Sequence, residues 1–330
     1  MSGPAAVARA LEGARRVVIV SHVPPDGDGL GAGLALARAL GRLGREAVFA
    51  AGGSLPPTLR SFARPGEVDT SPGGPPGPFD LALALDCADE ARLGALATTC
   101  RAVPLVVNLD HHETNTRFGH LSWIDPASPA VGEMAMRVLA ELGTPLDADL
   151  ALPLLLALVT DTGRFGYGNT TPATLRAAAD LLDAGADPQA VTDAVYRSAS
   201  AAWYRLLGLA LAGLELAAGG LVSHVTVTPA MIEESGADPL CASDVVDYPI
   251  SVEGVEVGVL FRPASDGKAT KVSLRSRRIF PVHAFAARFG GGGHPRAAGA
   301  TVDLPLAAAR EMVLATLLPE VLATCGAVMR

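Results

Sequence analysis

The sequence predicts an α/β protein in which an N-terminal domain built on a parallel sheet is followed by a smaller α+β domain. In the first half, apolar runs typical of buried strands alternate with helical patterns; the runs are RRVVIVSH, REAVFAAG, FDLALALD and VPLVVNLD. Parallel sheets covered by helices on both faces bury such continuous apolar strands. Beyond Gly219 the pattern changes to strands with turn signals and then two helical stretches, VHAFAARF and LAAAREMVLATLL. This change indicates the second, smaller domain.

The division between the domains is expected in a helical region. A length of 330 residues suits about two domains, each with its own core. Helical patterns dominate from Ala130 to about Leu216, which places the boundary near residues 190–205. We predict a first domain at residues 1–190, a helical linker at 191–204 and a second domain at 205–330.

Composition and charge restrict the class of protein. Apolar residues make up 49% of the chain and charged residues 18%, as in a globular protein. Charged residues interrupt every apolar run before it reaches the roughly 18 residues of a membrane span, and the N-terminus lacks a secretion signal. A cytoplasmic protein is therefore expected. The four cysteines form no C-x-x-C pair, which favours reduced, mostly buried thiols.

The charge is distributed unevenly. A net charge of −8 argues against a protein that coats long nucleic acid. Residues 251–300 nevertheless contain eight Arg and Lys residues against three acidic residues. This local excess of positive charge indicates a small anionic ligand bound by that segment.

Acidic and imidazole side chains follow several of the predicted strands. The carboxyl ends of parallel strands lie at one edge of a sheet, where ligands bind in open α/β folds. A further aspartate ends the apolar helical run ALVTD. The residues expected to meet at this edge are His22, Asp26, Asp28, Asp86, Asp110, His111, His112 and Asp161.

Taken singly, these residues have ordinary explanations, since aspartates often cap helices and histidines are often structural. Together, crowded carboxylates repel one another unless cations lie between them. Oxygen-rich sites with some imidazole favour Mn²⁺, with Mg²⁺ or Co²⁺ as alternatives, and five carboxylates suit two ions about 3.5–4 Å apart. A dinucleotide-binding turn is disfavoured because GDGLGAG contains no G-x-G-x-x-G and its aspartates would face the pyrophosphate.

A second cluster lies in the sequence RFGGGGHPRAAGA at residues 288–300. Four consecutive glycines allow close approach of the backbone to a ligand and a nest of N–H donors for an anion. His294 follows the glycines directly, and Arg275 lies on the preceding strand pattern KVSLRSRR. We expect this segment to bind phosphate.

The motifs together resemble those of the DHH superfamily of phosphoesterases, and more closely the DHH–DHHA1 subfamily of nanoRNases and pAp phosphatases (the NrnA type). The similar segments are SHVPPDGDGLGAG, LALDCADEARLG, NLDHHETN, VTDTGRF, VSLRSRR and FGGGGHPRAAGA. The resemblance spans nearly the whole chain. It implies a DHH domain followed by a DHHA1 domain, with the active site in the cleft between them. One departure is Ala32, where the family usually has serine.

The resemblance also implies roles for individual residues. One ion would be bound by His22, Asp26 and Asp161 and the other by Asp28 and His111. Asp86 would bridge the ions, Asp110 would orient the histidines, and His112 would contact the scissile phosphate. A hydroxide between the two ions would attack phosphorus in line. The residues implied to bind the substrate's other phosphate are Arg275, Ser276, Gly291, Gly292, Gly293 and His294.

The expected substrates are short oligoribonucleotides, dinucleotides or pAp, because the chain has few aromatic residues and no long basic groove for an extended strand. Within the superfamily, the alternatives are a phosphodiesterase acting on cyclic di-AMP or pApA and an inorganic pyrophosphatase. A catalytically silent nucleotide-binding regulator is the alternative from another class. A homodimer is expected from base rates alone.

Overall fold

The computed structural model describes residues 3–264 and 266–325. Its chain divides into two compact units between Ser198 and Ala199, within the segment predicted as a linker. That segment is not one continuous helix: a helix ends at Tyr196, residues 197–200 are not helical, and the next helix begins at Ala201.

The first unit is built on a parallel sheet, as the sequence predicts. Its strands are β1 (Arg16–Ser21), β2 (Glu46–Ala50), β3 (Val68–Asp69), β4 (Leu81–Leu85), β5 (Leu105–Asp110) and β6 (Leu121–Ile124). All neighbouring pairs are parallel, in the order β3-β2-β1-β4-β5-β6. The two edge strands, β3 and β6, are short and were not predicted.

Helices cover both faces of this sheet. They are α1 (Pro4–Gly13), α2 (Gly27–Arg42), α3 (Leu96–Arg101), α4 (Val131–Glu141), α5 (Ala148–Asp161), α6 (Pro172–Asp183) and α7 (Pro188–Tyr196), with 3₁₀ helices at Pro57–Phe62 and Glu90–Leu93. Alternate residues of β1 enter different cores: Ile19 packs with residues of α1, α2, α4 and α5, whereas Val18 packs with residues of α3. Burial on both faces explains why the central strands are mostly apolar.

The glycines at the start of α2 allow neighbouring elements to approach closely. A Cβ atom at Gly31 would lie 2.2 Å from the carbonyl oxygen of Pro153 in α5, and one at Gly29 would lie 2.7 Å from Cβ of Ser21. The glycine-rich turn therefore brings α2 against α5 and β1, rather than forming a bare phosphate cradle.

The second unit has a mixed sheet. Its strands are β7 (Glu215–Ala217), β8 (Val222–Thr226), β9 (Val257–Pro263), β10 (Thr270–Ser276), β11 (Gly292–His294) and β12 (Ala297–Val302), in the order β11-β12-β10-β9-β8-β7. Among the described strands of this second sheet, only β8 and β9 pair in parallel. The helices are α8 (Ala201–Ala212), α9 (Pro229–Ser235), α10 (Val282–Ala287) and α11 (Leu306–Cys325), with 3₁₀ helices at Ala218–Gly220, Pro239–Asp247 and Pro249–Ser251. This confirms the predicted α+β class.

No helix in the described part of the chain has the length and apolar character needed to cross a membrane. Cys87, Cys100 and Cys325 are buried thiols outside any disulfide. Burial raises the pKa of both Cys87 and Cys100 to about 12, which keeps these thiols protonated.

Candidate metal centre and phosphate site

The predicted acidic cluster lies where the strand order of the first sheet reverses. From the adjacent strands β1 and β4, the sheet continues to β2 and β3 on one side and to β5 and β6 on the other. His22 directly follows β1, and Asp86 directly follows β4. Open α/β sheets bind ligands beyond the carboxyl ends of the strands at such a switch point.

A first group of possible ligands consists of His22, Asp26 and Asp86, whose donor atoms lie within 4.8 Å of one another. Nε2 of His22 is 3.3 Å from Oδ2 of each aspartate. Asp26 caps α2, since its Oδ1 accepts hydrogen bonds from the backbone N–H groups of Asp28 and Gly29 at 3.0 Å. The cap fixes Oδ1 and leaves Oδ2 on the side of His22.

A second group consists of Asp28, Asp86 and His111, all buried. The carboxylate of Asp28 accepts hydrogen bonds from the first two N–H groups of α4, those of Val131 and Gly132, at 2.7 and 2.8 Å. Nδ1 of His111 lies 3.0 Å from the carbonyl oxygen of Ser128. Because a carbonyl only accepts, Nδ1 carries a proton, and Nε2 can serve as a metal ligand.

A third group joins Asp86 to Asp110 and His112. Nδ1 of His112 is 2.8 Å from Oδ1 of Asp110, which is fully buried at the end of β5. The other oxygen of Asp110 accepts a hydrogen bond from Nδ2 of Asn115 at 2.5 Å. The same amide nitrogen contacts Oδ1 of Asn108 at 2.9 Å. Asp110 thus holds the imidazole of His112 in place.

Asp86 belongs to all three groups. Its backbone has φ = 51°, in the left-handed region, and its N–H donates to the carbonyl oxygen of Leu109. Aspartate adopts this conformation more readily than most residues. Its Oδ1 is 3.5 Å from Nε2 of His111, and its Oδ2 is the atom that faces His22. The two oxygens of one carboxylate therefore point to different groups, as a bridging ligand requires.

Asp161, at the end of α5, also lies at this cluster. Its Oδ2 is 3.5 Å from Nε2 of His111. From the sequence, Asp161 is expected to bind the same ion as His22 and Asp26. Its carboxylate lies against His111, a member of the second group, and the assignment stays a prediction.

Burial and mutual repulsion disturb the carboxylates. Burial, with the charges of Asp86 and Asp161, raises the pKa of Asp28 well above its usual range. Burial also raises the pKa of Asp161 to about 7, against the opposing effect of His111. These shifts indicate that the positive groups around the cluster do not balance its negative charge.

The pKa values of two histidines are also raised, because the neighbouring carboxylates favour the charged imidazole. Burial disfavours the charged imidazole of His22, but Asp26 and Asp86 outweigh it and raise its pKa to about 10. Burial similarly opposes the charge on His111, whereas Asp86, Asp161 and Asp28 raise its pKa well above the usual range. The excess negative charge of the cluster therefore favours the binding of cations. Carboxylates and imidazoles within a few ångströms fit divalent metal ions in donor type and charge.

The glycine-rich segment of the second unit forms a hairpin. Strands β11 and β12 pair from Gly292–Gly299 to His294–Ala297, which leaves Pro295 and Arg296 at the turn. The N–H groups of Gly290 and Gly291 donate to the carbonyl oxygens of Ala287 and Ala286 at the end of α10. These two N–H groups are therefore paired within the second unit, and the expected nest of N–H donors for an anion stays a prediction.

The glycines instead allow close backbone packing. A Cβ at Gly291 would lie 2.1 Å from the carbonyl oxygen of Gly299, and Gly293 has φ = 138°. A Cβ added at Gly292 would enter open space among the described residues. Close pairing with β12 explains Gly291 and Gly293, and a role of the segment in binding substrate stays a prediction.

Arg275 and Ser276 lie at the end of β10 in the same unit. Nε of Arg275 donates to Oδ1 of Asp247 at 2.8 Å, and its side chain is 30% exposed. Ser276 is buried, and its backbone N–H donates to the carbonyl oxygen of Arg296. The pair with Asp247 leaves other N–H groups of the Arg275 guanidinium for an anion.

Two polar residues at the cluster were not predicted from the sequence. Asn115 holds Asp110, and Nη1 of Arg92 lies 3.2 Å from Nε2 of His112. Both residues stand within motifs that were recognised, Arg92 in LALDCADEARLG and Asn115 in NLDHHETN. Their positions within these motifs could have identified both residues as part of the site.

The sheet, its switch-point cluster and the mixed-sheet second unit define a two-domain protein of the DHH–DHHA1 class. Residues 16–158 match the model of the DHH family, N-terminal domain, and residues 221–321 match that of the DHHA1 domain. The chain is 38% identical to the bifunctional oligoribonuclease and PAP phosphatase NrnA of Thermus thermophilus, over 94% of this chain and 91% of the relative. The chain belongs to the DHH family.

Other relatives agree with this assignment. The protein of the same name from Bacillus subtilis is 27% identical over 87% of this chain and 89% of its own length. The structure of an exopolyphosphatase-related protein from Bacteroides fragilis superposes with a TM-score of 0.86 at 22% identity, covering 96% of each chain. That likeness shows the shared fold.

Proposed function

We propose that this protein hydrolyses phosphate esters of short nucleotides, namely oligoribonucleotides of a few residues, pAp, or both. The observation that carries the proposal is the position of Asp86, which joins two groups of acidic and imidazole ligands through its separate oxygens. The name of the Thermus relative, similar over nearly the full length of both chains, supports the substrate class.

Two divalent ions are proposed as cofactors, Mn²⁺ in preference to Mg²⁺ or Co²⁺. The residues that would hold them are His22, Asp26, Asp28, Asp86, His111 and Asp161. When bound, such ions neutralise phosphate charge and lower the pKa of water to supply a nucleophile. Within the chain, Ser128 directs Nε2 of His111 toward the carboxylates, and Asp110 orients His112 for its role at the phosphate.

The second unit is proposed to bind another phosphate of the substrate. Arg275 and His294 would supply charged or polar donors, while Ser276 and the backbone of Gly291–Gly293 would shape the site. A site that binds one particular phosphate of the substrate favours short substrates over long ones. We accordingly propose short single strands as ligands, rather than long duplexes, and a cytoplasmic site of action.

The test is hydrolysis by the purified full-length chain loaded with Mn²⁺. The substrates are pAp, pApA, short RNAs of increasing length, a long single-stranded RNA, cyclic di-AMP and pyrophosphate. We expect pAp and the shortest RNAs to be cleaved with the highest kcat/KM. The matched control is Asp86→Asn, purified identically, which excludes a contaminating nuclease.

Preferred cleavage of cyclic di-AMP would replace the proposal with the cyclic-dinucleotide phosphodiesterase alternative, and preferred cleavage of pyrophosphate would replace it with a pyrophosphatase. Binding of metal and nucleotide without turnover would favour the silent regulator.

A further inference from the structure

The guanidinium of Arg92 has a defined relation to His112. Nη1 of Arg92 lies 3.2 Å from Nε2 of His112. A guanidinium only donates hydrogen bonds, so Nε2 accepts and Nδ1 carries the imidazole proton. That proton is donated to Oδ1 of Asp110 at 2.8 Å. The imidazole of His112 thus links the guanidinium of Arg92 to the carboxylate of Asp110.

The far end of this chain of hydrogen bonds is fixed. Asp110 is fully buried, and Asn115 donates to its second oxygen. The same nitrogen of Asn115 also contacts the carbonyl oxygen of Cys87 at 3.0 Å, next to Asp86 in the sequence. The position of the His112 ring is therefore set by two neighbouring loops of the cluster.

Hydrogen bonds also fix the backbone of Arg92. Asp89 caps the 3₁₀ helix Glu90–Leu93 by accepting a hydrogen bond from the N–H of Arg92 at 3.1 Å. The carbonyl oxygen of Arg92 accepts from the N–H of Val23, the residue after His22, at 2.9 Å. Leu93 is fully buried. The loop after β4 is thus tied to the loop after β1, with Arg92 at the junction.

The charge of Arg92 has no carboxylate partner within 4 Å among residues 3–264 and 266–325, and His112 is its one hydrogen-bonded side-chain partner there. Arg101, which follows shortly afterwards, instead forms two hydrogen bonds with Glu90 at 2.8 and 2.7 Å. One N–H of the Arg92 guanidinium is used and four remain, in the planar arrangement that suits phosphate oxygens.

We propose that Arg92 binds phosphate oxygens of the nucleotide substrate and that His112 is the positioning residue that holds it. This inference rests on the proposed function and specifies a residue of the same site. Nε2 of His112 accepts the hydrogen bond from Arg92, so it is not itself a donor to phosphate. Arg92 is the side chain that donates N–H groups to phosphate, and His112 acts on the phosphate by positioning Arg92.

The kinetic experiment compares Arg92→Met and Arg92→Lys with Arg101→Gln, a control in the same segment that pairs with Glu90. Loss of a hydrogen bond to a charged group is expected to lower kcat/KM for pAp and a dinucleotide by about 10- to 100-fold in Arg92→Met. Arg92→Lys keeps the positive charge but lacks the planar arrangement of N–H donors, so its kcat/KM should lie between those of Arg92→Met and the native chain. Arg101→Gln should stay within about twofold, because an exposed ion pair contributes little.

A second measurement separates this role from a general loss of structure. ¹⁵N NMR of the histidine rings should show Nδ1 of His112 protonated and Nε2 unprotonated in the native chain. In Arg92→Met, the Nε2 resonance should shift as its donor is lost, while Arg101→Gln leaves it in place. Arg92→Lys serves as the test variant if Arg92→Met does not fold.

The outcomes distinguish the two proposals. Native protein that cleaves nucleotides, with Arg92 variants as active as the Arg101 control, overturns the role of Arg92 and leaves the proposed function standing. Native protein that cleaves no nucleotide defeats the proposed function and the phosphate-binding role together. The NMR result then still decides the Arg92–His112 bond, and a protonated Nε2 on His112 would overturn it.

Discussion

Asp86 shows how a single residue can determine the chemistry of a site. The residue is 3% exposed, and its carboxylate lies 3.3–3.5 Å from three imidazoles, those of His22, His111 and His112. Burial would raise its pKa, but His111 and His22 hold the pKa well below its usual range. Asp86 therefore stays ionised where Asp28 and Asp161 are driven toward protonation, which suits it to bridge two cations.

Replacing this one charge should abolish turnover. Asparagine keeps the shape of Asp86 and tolerates its left-handed backbone, whereas alanine would add strain at φ = 51°. We expect Asp86→Asn to lower kcat by at least about 1000-fold, since both proposed ion sites would lose a shared ligand. Steady-state kinetics measures the loss, and far-UV circular dichroism monitors the fold. A folded variant with more than a tenth of native activity would contradict the bridging role.

At the scale of elements, the contact between α2 and α5 depends on a glycine. A Cβ atom added at Gly31 would lie 2.2 Å from the carbonyl oxygen of Pro153 and 3.1 Å from Cβ of Ala157. Alanine at this position would force the helices apart. We expect Gly31→Ala to lower the free energy of unfolding by about 1–3 kcal/mol or more, as overpacking does, measured by urea denaturation.

Gly41 provides the matched control in the same helix. Apart from its chain neighbours and the backbone of its own helix, no heavy atom of residues 3–264 and 266–325 lies within 4 Å of the position that its Cβ would take. Gly41→Ala should therefore raise the free energy of unfolding by about 0.5–1 kcal/mol, because alanine costs less backbone entropy in a helix. Equal effects at the two positions would show that helix propensity, and not the α2–α5 contact, explains Gly31.

The elements also show what the sequence could reveal. Strands β1, β4 and β5 each contain a run of apolar residues buried on both faces, and this pattern identified the parallel sheet. Strand β3 has two residues and β6 four, too few for a pattern to register. Strand β11 is mainly glycine, a residue depleted in strands, so its pairing with β12 could not be read from composition.

The candidate site also contains residues that the sequence could reveal and residues that it could not. His22, Asp86 and Asp110 follow or end strands, and the geometry of a parallel sheet alone brings strand ends together. Arg92 lies in a short 3₁₀ helix and Asn115 in a loop, and their contacts depend on caps, buried anchors and side-chain rotamers. Such interactions arise only when the loops pack, which no spacing along the sequence specifies.

At the scale of the whole molecule, the candidate ligands come from distant parts of the chain. Asp28 lies in the first turn of α2 and Asp161 at the end of α5, and they are brought together only when the first unit folds. An unfolded chain cannot reproduce this arrangement. Metal ions that bind the folded state alone must therefore stabilise it by mass action.

Thermal unfolding tests this coupling with a reporter inside the first unit. The chain contains two tryptophans, Trp123 in β6 and Trp203 in α8, so Trp203→Phe leaves a fluorophore that reports on the first unit. At Mn²⁺ concentrations about 100-fold above Kd, the gain of about 2.7 kcal/mol should raise Tm by about 5 °C or more, and excess EDTA should reverse it. Introducing Asp86→Asn into this variant should remove most of the shift, because the cation then loses its shared carboxylate. A shift of equal size in that double variant would place the stabilising ion elsewhere, even if the native protein proves to be active.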